Sequence, residues 1–245
     1  MLKQLRKLGV ELGYRDVKDL FSIVENMENL EQLSISMLTS VEEIFDIESM
    51  VSPPQCLQRL DLSVNIKKLP VWIPKLQNLT RLELWLNGST NDSMTILQAL
   101  PNLLVLILYV HDYDEQLHFK EGCFPKLQRL YLYNFKGLKC MMIEKGAMPS
   151  LTYLVIGPCL LLKEIPTGIE HLNKLKTLVF DMMLKKVYCM IKNENWENVT
   201  KHIAQVHVNY KQITSKKDYS FYTSKQLSSL SVEDFEELIE EIEAE

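Results

Sequence analysis

Residues 127–133, Leu-Gln-Arg-Leu-Tyr-Leu-Tyr, decide how this chain is read. Leu127, Leu130 and Leu132 follow the order L-x-x-L-x-L, and Arg129, Tyr131 and Tyr133 alternate with them, the period of two expected of a strand with one buried face. The same order returns along nearly the whole chain. Its first apolar residue falls at Leu5, Leu30, Leu57, Leu79, Leu103, Leu127, Leu151, Leu175 and, in a degenerate last copy, Ile203.

The steps between these positions run from 22 to 28 residues, and the four from Leu79 to Leu175 are each 24. A period in this range is the signature of leucine-rich repeats. Each such unit buries its apolar face only against its neighbours, so the expected fold is an α/β leucine-rich-repeat solenoid, a horseshoe with a parallel concave sheet and short convex helices. Nine strands at a spacing of ~4.8 Å would make a concave face roughly 40 Å long, room for a protein rather than a metabolite. The first and last copies deviate most, as end units must stop the stack.

Between strands the chain returns along the convex side. Residues 16–27 carry Val17, Leu20, Phe21, Val24 and Met27 at helical spacing, and residues 92–100 carry Ile96, Leu97 and Leu100 similarly, which predicts short helices. Pro101, Pro125 and Pro149 each fall two residues before a repeat's first leucine, where proline is expected to stop a helix ahead of the strand. Asn65, Asn87 and Cys159 close the fullest copies of the motif, and their side chains are expected to bond backbone groups where the strand turns out.

The repeats are expected over residues 1–210, a polar linker over 211–230 and an acidic amphipathic helix over 231–245. In that last stretch Ser231 and Asp234 form a cap signal, and Phe235, Leu238, Ile239 and Ile242 line one stripe. Net charge is -5, but residues 231–245 hold eight carboxylates and no base, which leaves 27 bases against 24 acids in the body. No basic stripe fit to neutralise phosphates is present, so nucleic acid is not expected as a partner.

Cys56, Cys123, Cys140, Cys159 and Cys189 are odd in number and contain no C-x-x-C pair, which argues against a zinc site or a disulfide scaffold. The start MLKQLRKLGV has no signal-peptide core, and no run reaches the ~18 apolar residues of a membrane span. A cytoplasmic, reducing location is expected. The sequons at Asn78, Asn87, Asn91 and Asn198 then read as chance.

No catalytic, cofactor-binding or metal-binding residue is expected. The eight glycines form neither a P-loop nor a G-x-G-x-x-G turn, and no nucleophile is paired with a base at a readable spacing. His111 and His118, with Asp112, Asp114 and Glu115, read as a solvated acidic loop rather than a metal cluster.

On the repeat template, the third, fifth and seventh residues of each copy face the concave side. In the third copy these are Arg59, Asp61 and Ser63. The central copies place Arg81, Glu83, Trp85, Ile107, Tyr109, Arg129, Tyr131, Tyr133 and Tyr153 there. Aromatic and arginine side chains dominate binding hot spots, so these nine are the candidate protein-binding residues.

The run Leu69-Pro70-x-Trp72-Ile73-x-x-Leu76-x-x-Leu79 and its counterpart Ile165-Pro166-x-x-Ile169-x-x-Leu172-x-x-Leu175 resemble the leucine-rich repeats of plant intracellular nucleotide-binding disease-resistance proteins, most closely the coiled-coil class. So do F-P-K-L at Phe124 to Leu127 and G-A-M-P-S-L at Gly146 to Leu151. The resemblance covers residues 1–210 and is specific from 57 to 180, while the L-x-G-x-I-P step of plant cell-surface receptors is missing. It implies a recognition domain that senses a pathogen effector or a guarded host protein and restrains a separate nucleotide-binding module. The chain starts inside the repeats, so a fragment or truncated gene product is expected, with no residue for ADP or ATP carried over. A cytosolic repeat scaffold or ubiquitin-ligase adaptor outside immunity is the alternative.

Overall fold

The computed structural model describes residues 4–12, 17–37, 44–45, 47, 50–88, 91–111, 113–192, 196–209 and 221–244. In chain order the elements begin with strand β1 (Lys7–Leu12), helix α1 (Val17–Val24), strands β2 (Gln32–Met37), β3 (Arg59–Ile66) and β4 (Arg81–Leu86), and helix α2 (Asn91–Gln98). There follow β5 (Val105–Val110), β6 (Gln116–Phe119), β7 (Arg129–Tyr133), β8 (Cys140–Ile143), β9 (Tyr153–Ile156) and β10 (Thr177–Asp181). The chain closes with α3 (Leu184–Ile191), α4 (Trp196–Thr200), β11 (Gln205–Asn209), β12 (Phe221–Thr223), α5 (Ser224–Ser229) and α6 (Val232–Ala244).

The main sheet runs β1-β2-β3-β4-β5-β7-β9-β10-β11-β12. Its strands are parallel from β1 to β11, and each begins two residues after a first apolar position of the motif, from Leu5 before Lys7 to Ile203 before Gln205. The equal 24-residue steps bring like positions side by side, as in Leu82↔Leu106 and Leu84↔Leu108, so the leucines stack into continuous buried ladders. Leu106, Leu130 and Leu154 are adjacent rungs of one ladder, all wholly buried. This is an α/β repeat solenoid.

One register departs from the template. Between β3 and β4 the pairing shifts after Leu62, and Trp85 lies opposite Asn65 rather than Ser63. The end of β3 has a second partner, since Phe45 N–H donates to Asn65 O at 2.7 Å and Lys67 N–H to Phe45 O at 3.0 Å. That pull lengthens β3 and displaces its last residues relative to β4.

The convex side is only partly helical. α1 and α2 form where helices are expected, and Phe21, Val24 and Met27 are buried beneath the sheet. Pro70 and Pro166 lead into single 3-10 turns at Ile73–Lys75 and Ile169–His171. Trp72 is wholly buried, packs on Phe21 at 5.9 Å and donates its indole N–H to Ile47 O at 3.0 Å. In the middle, β6 and β8 pair as a second, small parallel sheet. Burial there alternates at Leu117 and Phe119 and at Met141 and Ile143, a period of two that suits strands. Pro125 and Pro149 therefore follow turns off this sheet and end no helix; only Pro101 stands just after one.

The expected polar ladder is displaced. Cys159 accepts a backbone bond from Phe135, and burial pushes its thiol up to about 12. Asn65 Oδ1, in contrast, is buried without a hydrogen-bond partner among the described residues. Most rungs lie instead beside the first leucine. Asn78 and Asn102 donate to Gln55 O and Gln77 O, each at 2.9 Å, and the hydroxyls of Thr80 and Thr152 donate to Gln58 O and Gln128 O, each at 3.0 Å. A polar side chain there spans the strand entrance to the preceding repeat and satisfies carbonyls the ladder leaves open.

Residues 211–220 of the expected linker lie outside the described residues, and 221–230 are no linker. β12 pairs antiparallel with β11, and Thr223 opens α5 with a reciprocal capping box with Gln226. In α6, Ser231 and Asp234 bond reciprocally at the entry. Phe235 is buried and stacks on Tyr188 at 3.6 Å, while Leu238 and Ile239 pack at the edge of the core. The side chain of Ile242 lies outside the described set. The polar composition of 221–230 conceals Leu227, which is wholly buried and anchors the segment.

Candidate protein-binding face

Side chains at equal positions on in-register parallel strands sit one strand spacing apart, ~4.8 Å, close to the thickness at which aromatic rings stack. The seventh places of three successive repeats are Trp85, Tyr109 and Tyr133, paired directly in the sheet. Their ring centroids are 4.8 Å apart in both steps. Tyr131, in the fifth place, meets Tyr133 at 6.3 Å and Tyr153 at 5.5 Å. The five aromatics form one continuous band, with Ile107 half-buried inside it.

The charged residues divide by position. Arg81 reaches both Asp61, at 3.2 Å from Nε to Oδ1, and Glu83, at 2.9 Å from Nη2 to Oε2. Burial and the neighbouring Asp61 charge push the Glu83 carboxyl up, and Arg81 opposes them. Arg129 stands exposed at the margin. All nine expected residues thus lie on one side of the sheet, with only Arg129 outside the half-buried class.

Template positions that looked unremarkable complete the site. Asp61 shares Arg81. Asp181 takes the seventh place on β10, and Asn209 the seventh place on β11, where its amide donates to Asp181 Oδ1 at 2.7 Å. Their place in the repeat was readable; their influence on the aromatic band was not. Burial raises Tyr109 and Tyr133 above the usual phenol range, and the Asp181 charge adds to both. Glu83 adds to Tyr109 as well. Both hydroxyls therefore stay protonated donors at neutral pH.

Asp181 carries a stability consequence. Burial raises its carboxyl while the Asn209 bond opposes the shift, so the fold disfavours its ionised form. A folded pKa above the unfolded one means that ionisation costs stability above the folded pKa, and the cost disappears as pH falls below the unfolded value near 3.9. Asp181→Asn is expected to melt at or above the wild-type temperature at pH 7. That advantage should vanish below pH ~4, as checked by paired thermal melts.

The histidine loop resolves differently from expectation. His118 lies on strand β6, with its Nε2 at 2.8 Å from Glu144 Oε1, and Glu115 pairs with Lys139. Asp112 lies outside the described residues. Among the described residues no His, Cys, Asp and Glu grouping is fit to hold a metal, and no helix is long and apolar enough to cross a membrane.

A family model described as leucine-rich repeat region matches residues 1–213. Among curated proteins, the chain is 29% identical over 178 residues to the disease resistance protein RPM1 of Arabidopsis thaliana, which covers 72% of this chain and 19% of that protein. It is 29% identical over 189 residues to the disease resistance protein RPP8 of the same plant, covering 76% and 21%. With the disease resistance RPP8-like protein 3 it shares 26% over 207 residues, covering 84% and 23%. The chain spans about a fifth of the length of these relatives.

Proposed function

This chain belongs to the family of leucine-rich repeat regions, and from that premise we propose that it is the recognition domain of a plant disease-resistance protein, binding a protein ligand on its open sheet face. The ligand in this reading is a pathogen effector or a guarded host protein, met in the cytoplasm, and a separate nucleotide-binding module receives the signal. Residues 1–210 carry the repeats, and 221–244 close their last unit.

One observation supports the reading most: five aromatic side chains in successive ring contact, some stacked and some tilted, form a single band on the open side of the sheet. Cross-strand stacking alone stabilises such a sheet by about 0.2–1 kcal/mol per pair, and tyrosine favours strands in any case. That accounts for any one ring. It does not account for their collection on one face between charged groups, where truncation of a central aromatic typically costs a complex 2 kcal/mol or more, by rough scale.

Trp85→Ala with Tyr131→Ala is expected to abolish capture of the partner set that the wild-type chain retrieves from pathogen-challenged plant tissue. The double variant forfeits three ring contacts, each worth up to ~1 kcal/mol, so its melting temperature should fall by no more than about 12 °C and the chain should stay folded. Undiminished capture by the double variant overturns the reading.

A further inference from the structure

We propose that the open face takes a cationic side chain, an arginine or lysine of the protein partner, in the slot between Tyr133 and the Asp181 carboxylate. The inference deepens the recognition reading and rests on it, since it names the chemistry of one contact on the same surface.

The slot follows from the repeat. Tyr133 and Asp181 both hold the seventh place of their copies, and the copy between them has Gly157 there. No side chain stands between them in the seventh row, and their two places lie two strand spacings apart, ~10 Å. Gly157 is held to this identity by its surroundings: its φ is +133°, and a Cβ would lie 2.1 Å from Asp181 O. The seventh place between Tyr133 and Asp181 therefore admits only glycine.

The charge pattern names the occupant. Asp181 is half-buried and bonds Asn209 at 2.7 Å, and among the described residues no lysine or arginine pairs with it. Asn209 is buried, and its Oδ1 is a second acceptor without a partner among the described residues. At the far end of the aromatic row, Asp61 and Glu83 share the one guanidinium of Arg81. The fifth and seventh places hold four carboxylates, Glu11, Asp61, Glu83 and Asp181, and no lysine or arginine, Arg81 reaching two of them from the third place, with His207 held toward its neutral form by burial. Arg59 and Arg129 stand in the third place, at the exposed margin. A cation entering beside Asp181 meets a carboxylate it can pair with and a phenol face that attracts it through the ring quadrupole. An anion there would be repelled by the Asp181 carboxylate.

The test uses the full chain labelled with 15N and two probes, N-acetyl-arginine methylamide and its neutral isostere N-acetyl-citrulline methylamide. Saturable shifts of the Asn209 side-chain amide and the Gly157 backbone amide are expected with the arginine probe, at least tenfold weaker with citrulline. Asp181→Asn, which keeps the Asn209 bond, should weaken arginine binding at least tenfold. Equal binding of both probes, or undiminished binding to Asp181→Asn, overturns the slot. Its failure is separable from that of the recognition reading. If partner capture is lost in Trp85→Ala/Tyr131→Ala while the probes do not discriminate, only the slot falls; if the arginine probe discriminates while capture survives the double variant, only the recognition reading falls.

Discussion

Leu130→Asp is expected to yield insoluble protein. Leu130 is wholly buried in the middle of the array, between Leu106 and Leu154 on the flanking strands. Removing it forfeits about 2–3 kcal/mol of apolar burial, and the carboxylate adds several kcal/mol, paid as desolvation or as a forced protonation. A domain stable by roughly 5–15 kcal/mol does not survive much of that, and a repeat array transmits the loss because each unit is folded only against its neighbours. Leu130→Met, of similar volume, should cost less than about 1.5 kcal/mol and stay soluble. Arg129→Asp, one residue away on the exposed side, should also express normally. Soluble fraction and far-ultraviolet circular dichroism of the three variants decide the matter, and a soluble, folded Leu130→Asp chain would refute the register.

Gly168→Ala is expected to be nearly as damaging, for a different reason. Gly168 has φ +83° and caps the 3-10 turn that follows Pro166, and a Cβ there would lie 1.9 Å from Ile143 O and 3.1 Å from His171 Nδ1. The obstructing atom is backbone of the neighbouring repeat, so relief requires the two units to separate. The left-handed backbone alone costs an alanine about 1–2 kcal/mol. Gly122, at φ +75° with nothing within 4 Å of its Cβ, isolates that conformational cost. Thermal melts should therefore show Gly122→Ala lowered by a few degrees and Gly168→Ala lowered by at least twice as much. Equal shifts would mean that the repeats yield freely at this contact.

The parts of the fold that were legible in the residues are those set by repetition. Every strand of the parallel array begins two residues after a motif's first apolar residue, because alternation within a copy selects the buried face and the spacing between copies selects the partner. The helical periods of α1 and α2 are local as well. What escaped were features with two competing partners. The Phe45 segment draws the end of β3 out of register with β4, so Asn65 rather than Ser63 stands opposite Trp85. The strands β6 and β8 are four residues each, too short for their alternation to be told from loop until each has the other to pair with.

The candidate face divides along the same line. That Trp85, Tyr109, Tyr131, Tyr133 and Tyr153 share one side of the sheet followed from counting places in the repeat, since a period of two permits no other outcome once the leucines are inward. The rings' stacking at one strand spacing, the sharing of Arg81 between two carboxylates, and the reach of the Asp181 charge to Tyr109 and Tyr133 across Gly157 were decided by the packed sheet. So was the fate of 221–230, whose polar composition resembles a linker but whose Leu227 finds a buried place against the last repeat. The repeat pattern alone determined which residues point together, because that depends on backbone period; only the tertiary structure decided which of them touch, because contact and charge depend on distances between strands and on side chains brought from remote parts of the chain.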